Sequence, residues 1–465
     1  MLKSVRLSGF KSYREAELPL SPLTVLIGAN ASGKSNALEG LRLLSWIAQG
    51  NRLGNLRQIT GGPIVRGRVD SLGYNGGQAF HLGCVVDGIG WDRFDIGLRV
   101  GADGDVHVEE EKITGHSSKV PLYETVGKVD DHGNDLRVAY NNFARGGKKP
   151  QVICNDGVAV LQQLESAARF EAGHRQAQTI IPEVCEHVRA VLTDILFLDP
   201  QPVTMRGYSH KSEYRLNGDG SNLSGVIYHL TEAEGDKVRA RYSRQGFGPG
   251  FSASDLYPPL LPPLTTDQQR RDAILNLVRS LPEQNIEALA FIETPRQEVM
   301  LTLRETFGGE ARDYDATILS DGTLRVLAIA AAVLSAPPGS LVVIEEIDNG
   351  IHPSRAEEIL RGIADIAKTR RLSVLISSHN PALLDALPDE AVPDVVFCYR
   401  DPKDGSSRLV RLETLPDYPE LIAQGTLGHL LTSGLIDRFV KTHPGSAVKK
   451  RRAEEWLQRL RAEVE

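Results

Sequence analysis

The segment Gly28-Ala29-Asn30-Ala31-Ser32-Gly33-Lys34-Ser35 has the residue types and spacing that hold a polyphosphate. It fits the pattern G-x-x-x-x-G-K-[ST] and lies between an apolar run at 23–27 and a helical pattern, which is the context that this motif requires. Glycines let the loop wrap closely around phosphates, Lys34 can bridge β and γ oxygens, and the Ser35 hydroxyl can bind Mg²⁺. We therefore expect a nucleotide-binding loop rather than a glycine turn that fits by chance.

Two adjacent acids, Glu345 and Glu346, follow the apolar run 341–344. Neighbouring carboxylates at the end of a buried strand are costly unless a cation or a reaction uses them. We expect Glu345 to hold Mg²⁺ through water and Glu346 to orient and deprotonate an attacking water. The alternative is a pair of solvent-exposed acids at a strand end. Where two acids follow a strand in this way, the first is usually Asp. Because the side chain of Glu345 is longer, its direct contact with the metal stays an open question.

A histidine follows a second apolar run of the same kind. Residues 373–376 lead into Ser377, Ser378 and His379. A histidine at such a strand edge can reach a γ-phosphate, although a single histidine is more often structural. Because the other motifs are present and in order, we favour the functional interpretation.

The residues Ser320, Asp321 and Gly322 precede an apolar helical pattern that includes Leu327 and Leu334. This arrangement is that of a helix N-cap. The N–H groups and the hydroxyl at such a helix start also bind phosphate. Both interpretations are compatible.

Strands and helices must place these motifs together. Alternating apolar residues predict two or three strands within 2–27, and the spacing of leucines predicts a helix over 35–47. Residues 80–114 predict three consecutive strands in an antiparallel meander. Further strands are predicted at 288–291, 298–303, 341–344 and 373–376, and further helices at 158–192, 267–281, 323–336, 355–368 and 449–465.

The composition is that of a globular chain. The 465 residues allow two or three domains, and 53 Lys and Arg against 60 Asp and Glu give a net charge of −7, which disfavours tight non-specific DNA binding. The four cysteines lack metal-ligand spacing, so neither a zinc site nor a disulfide framework is indicated. With no apolar run long enough to span a membrane, we expect a cytoplasmic protein without a membrane partner.

Taken in order, the motifs resemble those of the ABC-type ATPases of the RecF/SMC/overcoming-lysogenization (OLD) group, and more narrowly the stand-alone bacterial AAA-family ATPases of anti-phage defence. The opening LKSVRLSGFKSYREAELPLSPLTVLIGANASGKSN resembles their first strands and Walker A motif, and LSDGTLR resembles their signature motif. LVVIEEIDNGIHP resembles Walker B with its D-loop, and SSHNPALLDAL resembles their switch-histidine segment. The fold implied is α/β, a P-loop NTPase of ABC-ATPase type with a mixed sheet, an antiparallel β meander and an inserted helical region.

The resemblance also implies roles for individual residues. Glu346 would be the general base, and His379 would sense the γ-phosphate. Lys11 and Ser12 would lie near the base and ribose, Ser320 and Gly322 would act on the nucleotide of a second subunit, and the D-loop would lie at the dimer seam. The residues implied to contact ATP are Lys11, Ser12, Gly28, Asn30, Gly33, Lys34, Ser35, Asn36, Ser320, Asp321, Gly322, Asp348 and His352, and those implied to hold Mg²⁺ are Ser35 and Glu345.

Two further residues have weaker parallels. Arg57 occupies a place like that of the arginine loop of SMC heads. Gln201 is a candidate for the glutamine that related ATPases present to magnesium, against a plain loop residue. OLD nucleases carry a TOPRIM module after the ATPase, but the chain after His379 shows no matching acid pattern. We therefore expect no nuclease centre.

The domain organisation expected is an amino-terminal ATPase lobe at 1–116, an inserted mainly helical region at 117–283, and a carboxy-terminal ATPase lobe at 284–465. The function expected is an ATP-hydrolysing switch that forms a homodimer or a higher homo-oligomer around ATP and controls a separately encoded nuclease or toxin in anti-phage defence. The alternatives are a RecF-like DNA-repair ATPase, which leaves nucleic acid open as a partner, and an ATP-dependent scaffold with little hydrolysis.

Overall fold

In the computed structural model, the residues described are 1–59, 64–88, 90–116, 118–130, 133–232, 266–281, 285–307, 309–349, 351 and 353–442. The predicted helix at 449–465 lies outside them. The strands are β1 Leu2–Phe10, β2 Tyr13–Pro19, β3 Leu23–Ile27, β4 Ala79–Val86, β5 Arg93–Val100, β6 Val106–Gly115, β7 Ser118–Lys128, β8 Asp135–Tyr140, β9 Gln151–Asn155, β10 Leu196–Leu198, β11 Ser209–His210, β12 Ile286–Glu293, β13 Glu298–Phe307, β14 Glu310–Asp315, β15 Leu341–Ile344, β16 Ser373–Ser377, β17 Val396–Arg400 and β18 Ser407–Arg411.

The α-helices connect and cover these strands. They are α1 Lys34–Ala48, α2 Leu56–Ile59, α3 Val160–Gln163, α4 Arg175–Thr193, α5 Pro202–Met205, α6 Leu223–Thr231, α7 Asp267–Arg279, α8 Asp321–Ser335, α9 Ala356–Arg370, α10 Pro381–Asp385, α11 Tyr418–Ile422, α12 Leu427–Thr432 and α13 Leu435–Thr442. Within the described ranges, no helix combines the length and the apolar character needed to cross a membrane.

Three sheets organise the described part of the chain. The central sheet has the order β10-β15-β16-β3-β17-β18, with its first five strands parallel and β18 antiparallel. An antiparallel sheet of eight strands has the order β2-β1-β4-β5-β6-β7-β8-β9, and a third sheet contains β11 to β14. The chain therefore has the mixed α/β architecture of a P-loop NTPase, as its sequence predicts.

The central sheet is buried on both faces, which explains its continuous apolar runs. Alternate residues of β3 point to opposite faces: Val25 and Ile27 belong to the core shared with α8 and α9, whereas Leu26 belongs to the core shared with α1 and the antiparallel sheet. Helix α1 consequently lies between two sheets. This packing fixes the helix start, and with it the loop that precedes it.

The predicted meander is present as β4, β5 and β6, but it continues beyond its predicted end. Strands β7, β8 and β9 extend the same sheet to Asn155, so residues 118–155 are not helical, and the expectation of a mainly helical region from 117 is wrong for this part. Pro121 and Gly127 lie within β7, and both residue types weaken a strand pattern in the sequence. The division into three domains stays a prediction.

A buried carboxylate, that of Glu111, ties β6 and β7 to α3. The Glu111 side chain, on a residue only 1% exposed, accepts hydrogen bonds from the Tyr123 hydroxyl at 2.7 Å and from the backbone N–H groups of Val160 at 2.7 Å and Leu161 at 2.6 Å. Burial raises the pKa of Glu111 to about 7, and these three donors offset only part of that effect. This carboxyl group therefore changes charge near neutral pH.

We expect the change Glu111→Gln to remove a pH dependence of stability. Because the pKa of Glu111 rises from 4.5 to about 7 on folding, the folded protein binds more protons in that window, and the free energy of unfolding falls as pH rises through it. The full change corresponds to roughly 3 kcal/mol. Melting temperatures across this window measure it, with the exposed neighbour Glu110→Gln as control. Identical profiles for wild type and Glu111→Gln would contradict the assignment.

Candidate functional site

The loop between β3 and α1 has the backbone shape that its glycines predict. Gly28 has φ 148°, Ala31 has φ 62° and Gly33 has φ 121°. A Cβ atom at Gly28 would lie 2.2 Å from the carbonyl oxygen of Cys398, and one at Gly33 would lie 2.3 Å from Oγ of Ser407. These glycines are needed because the loop packs directly on the β17–β18 hairpin.

Positive charge is concentrated where this loop enters α1. The Nζ atom of Lys34 donates hydrogen bonds to the carbonyl oxygens of Gly28 at 2.6 Å and Ala29 at 3.1 Å. Partial burial lowers the pKa of Lys34, while Cys398, Glu346 and Asp348 act in the opposite direction. Helix α1 has no side-chain cap and no acidic residue in its first turn. Its positive end is therefore open to an anion.

Three of the predicted motifs, the nucleotide loop, the acid pair and the histidine segment, meet at one cavity of about 620 Å³. It lies at the carboxyl ends of β3, β15 and β16, the sheet edge where α/β proteins bind ligands. The residues that line it are Ala29, Asn30, Ala31, Ser32, Gly33, Lys34, Ser35, Asn36, Leu38, Arg66, Glu345, Glu346, Ser377, Ser378, His379 and Arg400.

Glu345 has a partner that sequence reasoning missed. Its Oε1 atom accepts a hydrogen bond from the guanidinium of Arg42 on α1. Burial raises the pKa of Glu345, and the charge of Arg42 partly offsets this effect. Over the described ranges, no group of three or more His, Cys, Asp or Glu side chains could hold a metal ion. A magnesium ion here would therefore depend on Ser35, Glu345, phosphate oxygens and water, as is usual for this metal.

The backbone of Glu346 is held in an uncommon conformation. Its φ of 47° lies in the left-handed region, which costs a residue other than glycine of order 1 kcal/mol or more. Its N–H group donates to Oγ of Ser377 at 3.1 Å, and its Oε2 atom accepts from Nδ2 of Asn349 at 2.7 Å. The side chain of Glu346 thus has one oxygen oriented by Asn349 at the cavity wall.

His379 lies beside a buried acid. Its Nδ1 atom is 3.6 Å from Oδ2 of Asp348, and the His379 side chain is 55% exposed whereas that of Asp348 is 6% exposed. The Oδ1 atom of Asp348 is buried and has no hydrogen-bond partner among the described residues. Asp348 is therefore turned inward beneath His379, and its role at a dimer seam stays a prediction. His352 lies outside the described residues.

Lys11 and Ser12 are not among the residues that line the cavity. Lys11 pairs with Glu39 on α1, and its Nζ atom also donates to the carbonyl oxygen of Arg66 at 2.8 Å. The Ser12 hydroxyl is buried, accepts from Nδ2 of Asn36 at 2.7 Å and lies 2.8 Å from Oγ of Ser407. Lys11 therefore contacts α1 and Arg66, Ser12 contacts Asn36 and Ser407, and the contact of either residue with a base or ribose stays a prediction.

The segment Ser320, Asp321 and Gly322 also lies away from this cavity's lining. The Ser320 side chain accepts from the backbone N–H of Thr323 at 3.1 Å, which confirms it as the N-cap of α8. Asp321 pairs with Arg206 at 2.5 Å, and the same guanidinium donates to the carbonyl oxygen of Leu319 at 2.9 Å. The action of these residues on a second subunit's nucleotide stays a prediction.

Three arginines near the nucleotide cavity were not predicted. Arg42 follows Ser35 by seven residues, so helical spacing could have placed it on the same face. Arg66 and Arg400 reach the cavity wall from outside the motifs, and no sequence signal identifies them.

The two weaker candidates lie elsewhere. Arg57 donates to the carbonyl oxygen of Asp103 at 3.1 Å and pairs with Asp105. Gln201 lines a second cavity beside α1, whose other residues include Arg42 and Asp199. Neither lines the nucleotide cavity, so their roles stay predictions.

Comparisons with known proteins agree with this geometry. Residues 205–385 match the family model described as "AAA domain, putative AbiEii toxin, Type IV TA system", and residues 1–49 match that of an AAA ATPase domain. The chain is 56% identical over 45 residues to the DNA replication and repair protein RecF of Gloeobacter violaceus, and 51% identical over 45 residues to RecF of a Cyanothece species. Each match covers 10% of this chain and 12% of the relative.

Solved structures of SMC heads are similar at low identity. The SMC head bound to the C-winged helix domain of ScpA shares 14% identity with a TM-score of 0.46, over 88% of this chain and 97% of that one. The SMC head domain from Thermotoga maritima shares 13% identity with a TM-score of 0.38, over 88% and 98%. The argument for the family therefore comes from the domain matches, the RecF match and the site itself. On these grounds the chain resembles the ABC-type ATPases of the RecF/SMC group and has a P-loop NTPase fold.

Proposed function

We propose that this chain binds and hydrolyses ATP at the nucleotide cavity. The observation that carries the proposal is the meeting of Lys34, Glu346 and His379 at one cavity, although they lie on three separate segments of the chain. A polyphosphate would be held by the loop N–H groups, the open end of α1 and the ammonium of Lys34. Phosphate release by wild type and by variants at Lys34 and Glu346 tests the proposal.

The donor set also suits Mg²⁺ bound with the nucleotide. The Ser35 hydroxyl and the Glu345 carboxylate would hold it, Glu345 through water, and the ion would supply charge neutralisation between the phosphates. The pairing of Glu345 with Arg42 means that this carboxylate already has a cationic partner. An ion held through water at Glu345 would share this carboxylate with Arg42 or displace the guanidinium from it.

In the proposed reaction Glu346 is the general base. A water oxygen attacks the γ-phosphorus, the bond to the β–γ bridging oxygen breaks, and the water proton passes to the carboxylate of Glu346, which gives ADP and phosphate. Asn349 holds one oxygen of Glu346, and Ser377 holds its backbone. His379 would contact the γ-phosphate oxygens, with Asp348 behind it.

We also propose that two copies of the chain associate around ATP. Two apolar side chains close to the Ser320 segment are unusually exposed, Val203 on α5 at 86% and Ile318 at 63%. Arg206, near Val203 on the chain, fixes this segment through its bonds to Leu319 and Asp321. A rigid helix start flanked by exposed apolar residues suits contact with a second copy.

We expect Ser320→Arg to retain ATP binding and to lose both hydrolysis and ATP-driven association. The bulky side chain would block the start of α8, whereas the nucleotide cavity of the same chain would be untouched. Calorimetry, phosphate release and light scattering measure the three properties. Ser320→Ala is the matched control, because it removes the cap without adding bulk. If Ser320→Arg hydrolysed ATP and associated like wild type, this segment would serve only as a helix cap.

The biological role that we propose is control of a separately encoded nuclease or toxin in anti-phage defence. The name of the family that matches residues 205–385 refers to a toxin and a toxin–antitoxin system, which supports this role. Plaque formation by phage on cells carrying the gene and its neighbours, with wild type or Lys34→Ala, tests it. Equal plaque numbers with both proteins would contradict it.

A second candidate is a RecF-like ATPase that binds DNA. The RecF matches favour it, whereas the net charge of −7 disfavours it. ATP-dependent binding of duplex DNA, measured at several salt concentrations, would support this candidate.

A further inference from the structure

Arg42 and Ser35 share one face of α1, because a separation of seven positions is almost two full turns. The guanidinium of Arg42 donates to Oε1 of Glu345, which is 303 residues away along the chain. Both side chains are largely buried, with exposed fractions of 20% for Arg42 and 18% for Glu345. The pair is therefore part of the wall beside β15 and not a loose surface contact.

The Arg42–Glu345 pair stands between two cavities. Glu345 lines the nucleotide cavity, whereas Arg42 lines the second cavity, of about 480 Å³, together with Trp46, Phe197 and Asp199. The Cζ atom of Arg42 lies 5.1 Å from the centroid of the Phe197 ring. A change at Glu345 can therefore reach the second cavity through a single side chain.

Guanidinium and Mg²⁺ are competitors for a shared carboxylate. Two cations close to the same oxygens repel each other, most strongly where burial reduces screening by water. Asp199 offers a displaced Arg42 another carboxylate in the second cavity, beside the Phe197 ring that the guanidinium already contacts. We infer that Arg42 competes with Mg²⁺ for Glu345, and that binding of Mg²⁺ with nucleotide releases Arg42 into the second cavity. Arg42 is then a positioning residue, and the inference rests on the proposed ATP site.

The test is the Mg²⁺ dependence of nucleotide binding in the full-length protein. Binding of a non-hydrolysable ATP analogue is measured by calorimetry at increasing Mg²⁺ concentrations. We expect Arg42→Gln to lower the half-saturating Mg²⁺ concentration by about tenfold, because a close competing charge is removed. Arg42→Lys keeps the charge and is expected to stay near wild type. Arg189→Gln, on α4, breaks a comparable pair with Glu165 and is expected to leave the Mg²⁺ dependence unchanged.

A second readout follows the second cavity itself. Trp46 lies one helical turn after Arg42, and the chain has three tryptophans. With Trp91→Phe and Trp456→Phe introduced into wild type and into Arg42→Gln, Trp46 is the only tryptophan of each protein. We expect Mg²⁺ with the analogue to change its emission when Arg42 is present, and to leave it unchanged in Arg42→Gln.

The outcomes separate the inference from the proposed function. If wild type binds the analogue but Arg42→Gln needs as much Mg²⁺ or more, the competition is wrong and the ATP site stands. If wild type does not bind the analogue at any Mg²⁺ concentration, the proposed function fails and the inference fails with it. A lower Mg²⁺ requirement in Arg42→Gln, together with a requirement near that of wild type in Arg42→Lys, supports both the competition and the ATP site.

Discussion

Lys34→Ala is expected to abolish ATP binding. Lys34 is the mobile cation at the loop, its Nζ atom lies against the loop carbonyls of Gly28 and Ala29, and its ammonium would offset the charge of the β and γ phosphates. Its loss leaves the loop itself with only backbone dipoles to face the phosphates, because Arg66 and Arg400 lie elsewhere on the cavity wall. Titration calorimetry with ATP measures the effect, and we expect affinity to fall by at least about a hundredfold, the effect of one lost charge-assisted contact of about 3 kcal/mol.

A matched variant distinguishes a lost contact from lost net charge. Lys3→Ala removes an exposed lysine that pairs with Asp87, and it should bind ATP like wild type. Circular dichroism of Lys34→Ala should match wild type, because the ammonium of Lys34 donates to carbonyl oxygens of its own loop. Unchanged ATP affinity in folded Lys34→Ala would overturn the assignment of the nucleotide loop.

Glu346→Gln is expected to retain ATP binding and to slow hydrolysis by at least about 10²–10⁴, the contribution of a general base. The amide has the shape of the carboxylate but cannot accept the proton of the attacking water. If two copies enclose ATP, slow hydrolysis should also accumulate the associated form. Phosphate release and light scattering with ATP and Mg²⁺ measure the two effects.

The control for Glu346→Gln is Glu358→Gln on α9, an exposed acid that pairs with Arg355. It should hydrolyse ATP and dissociate like wild type. Rapid hydrolysis by Glu346→Gln would assign the base to another group. A monomer under saturating ATP would count against association around the nucleotide.

The nucleotide loop and its strand could be predicted because their signals are contiguous in sequence. The pattern from Gly28 to Ser35 contains both the ligands and the glycines that the backbone geometry requires. The same holds for the apolar runs before Glu346 and His379, because the ends of parallel strands meet at one sheet edge. Local patterns therefore identified most of the cavity.

Contacts between distant segments could not be predicted in this way. The pairing of Arg42 with Glu345 depends on how α1 packs beside β15, and the approach of Arg400 to the loop depends on the order of β3 and β17 in the sheet. Strand β7 was missed because Pro121 and Gly127 interrupt its pattern, while pairing with β6 and β8 holds it in the sheet. Helix packing and strand pairing between distant segments determine these contacts, and neither can be read from a local sequence pattern.

The central claim is that the chain hydrolyses ATP at a site completed by a second copy, and mixing two inactive variants tests it most directly. Lys34→Ala has a nucleotide loop that cannot bind ATP but keeps Ser320, whereas Ser320→Arg keeps a functional loop. In a mixed dimer one complete site would form from the two chains. The measurement is phosphate release at a fixed total protein concentration. The account predicts activity in the mixture well above that of either variant alone, and activity equal to their sum would contradict it.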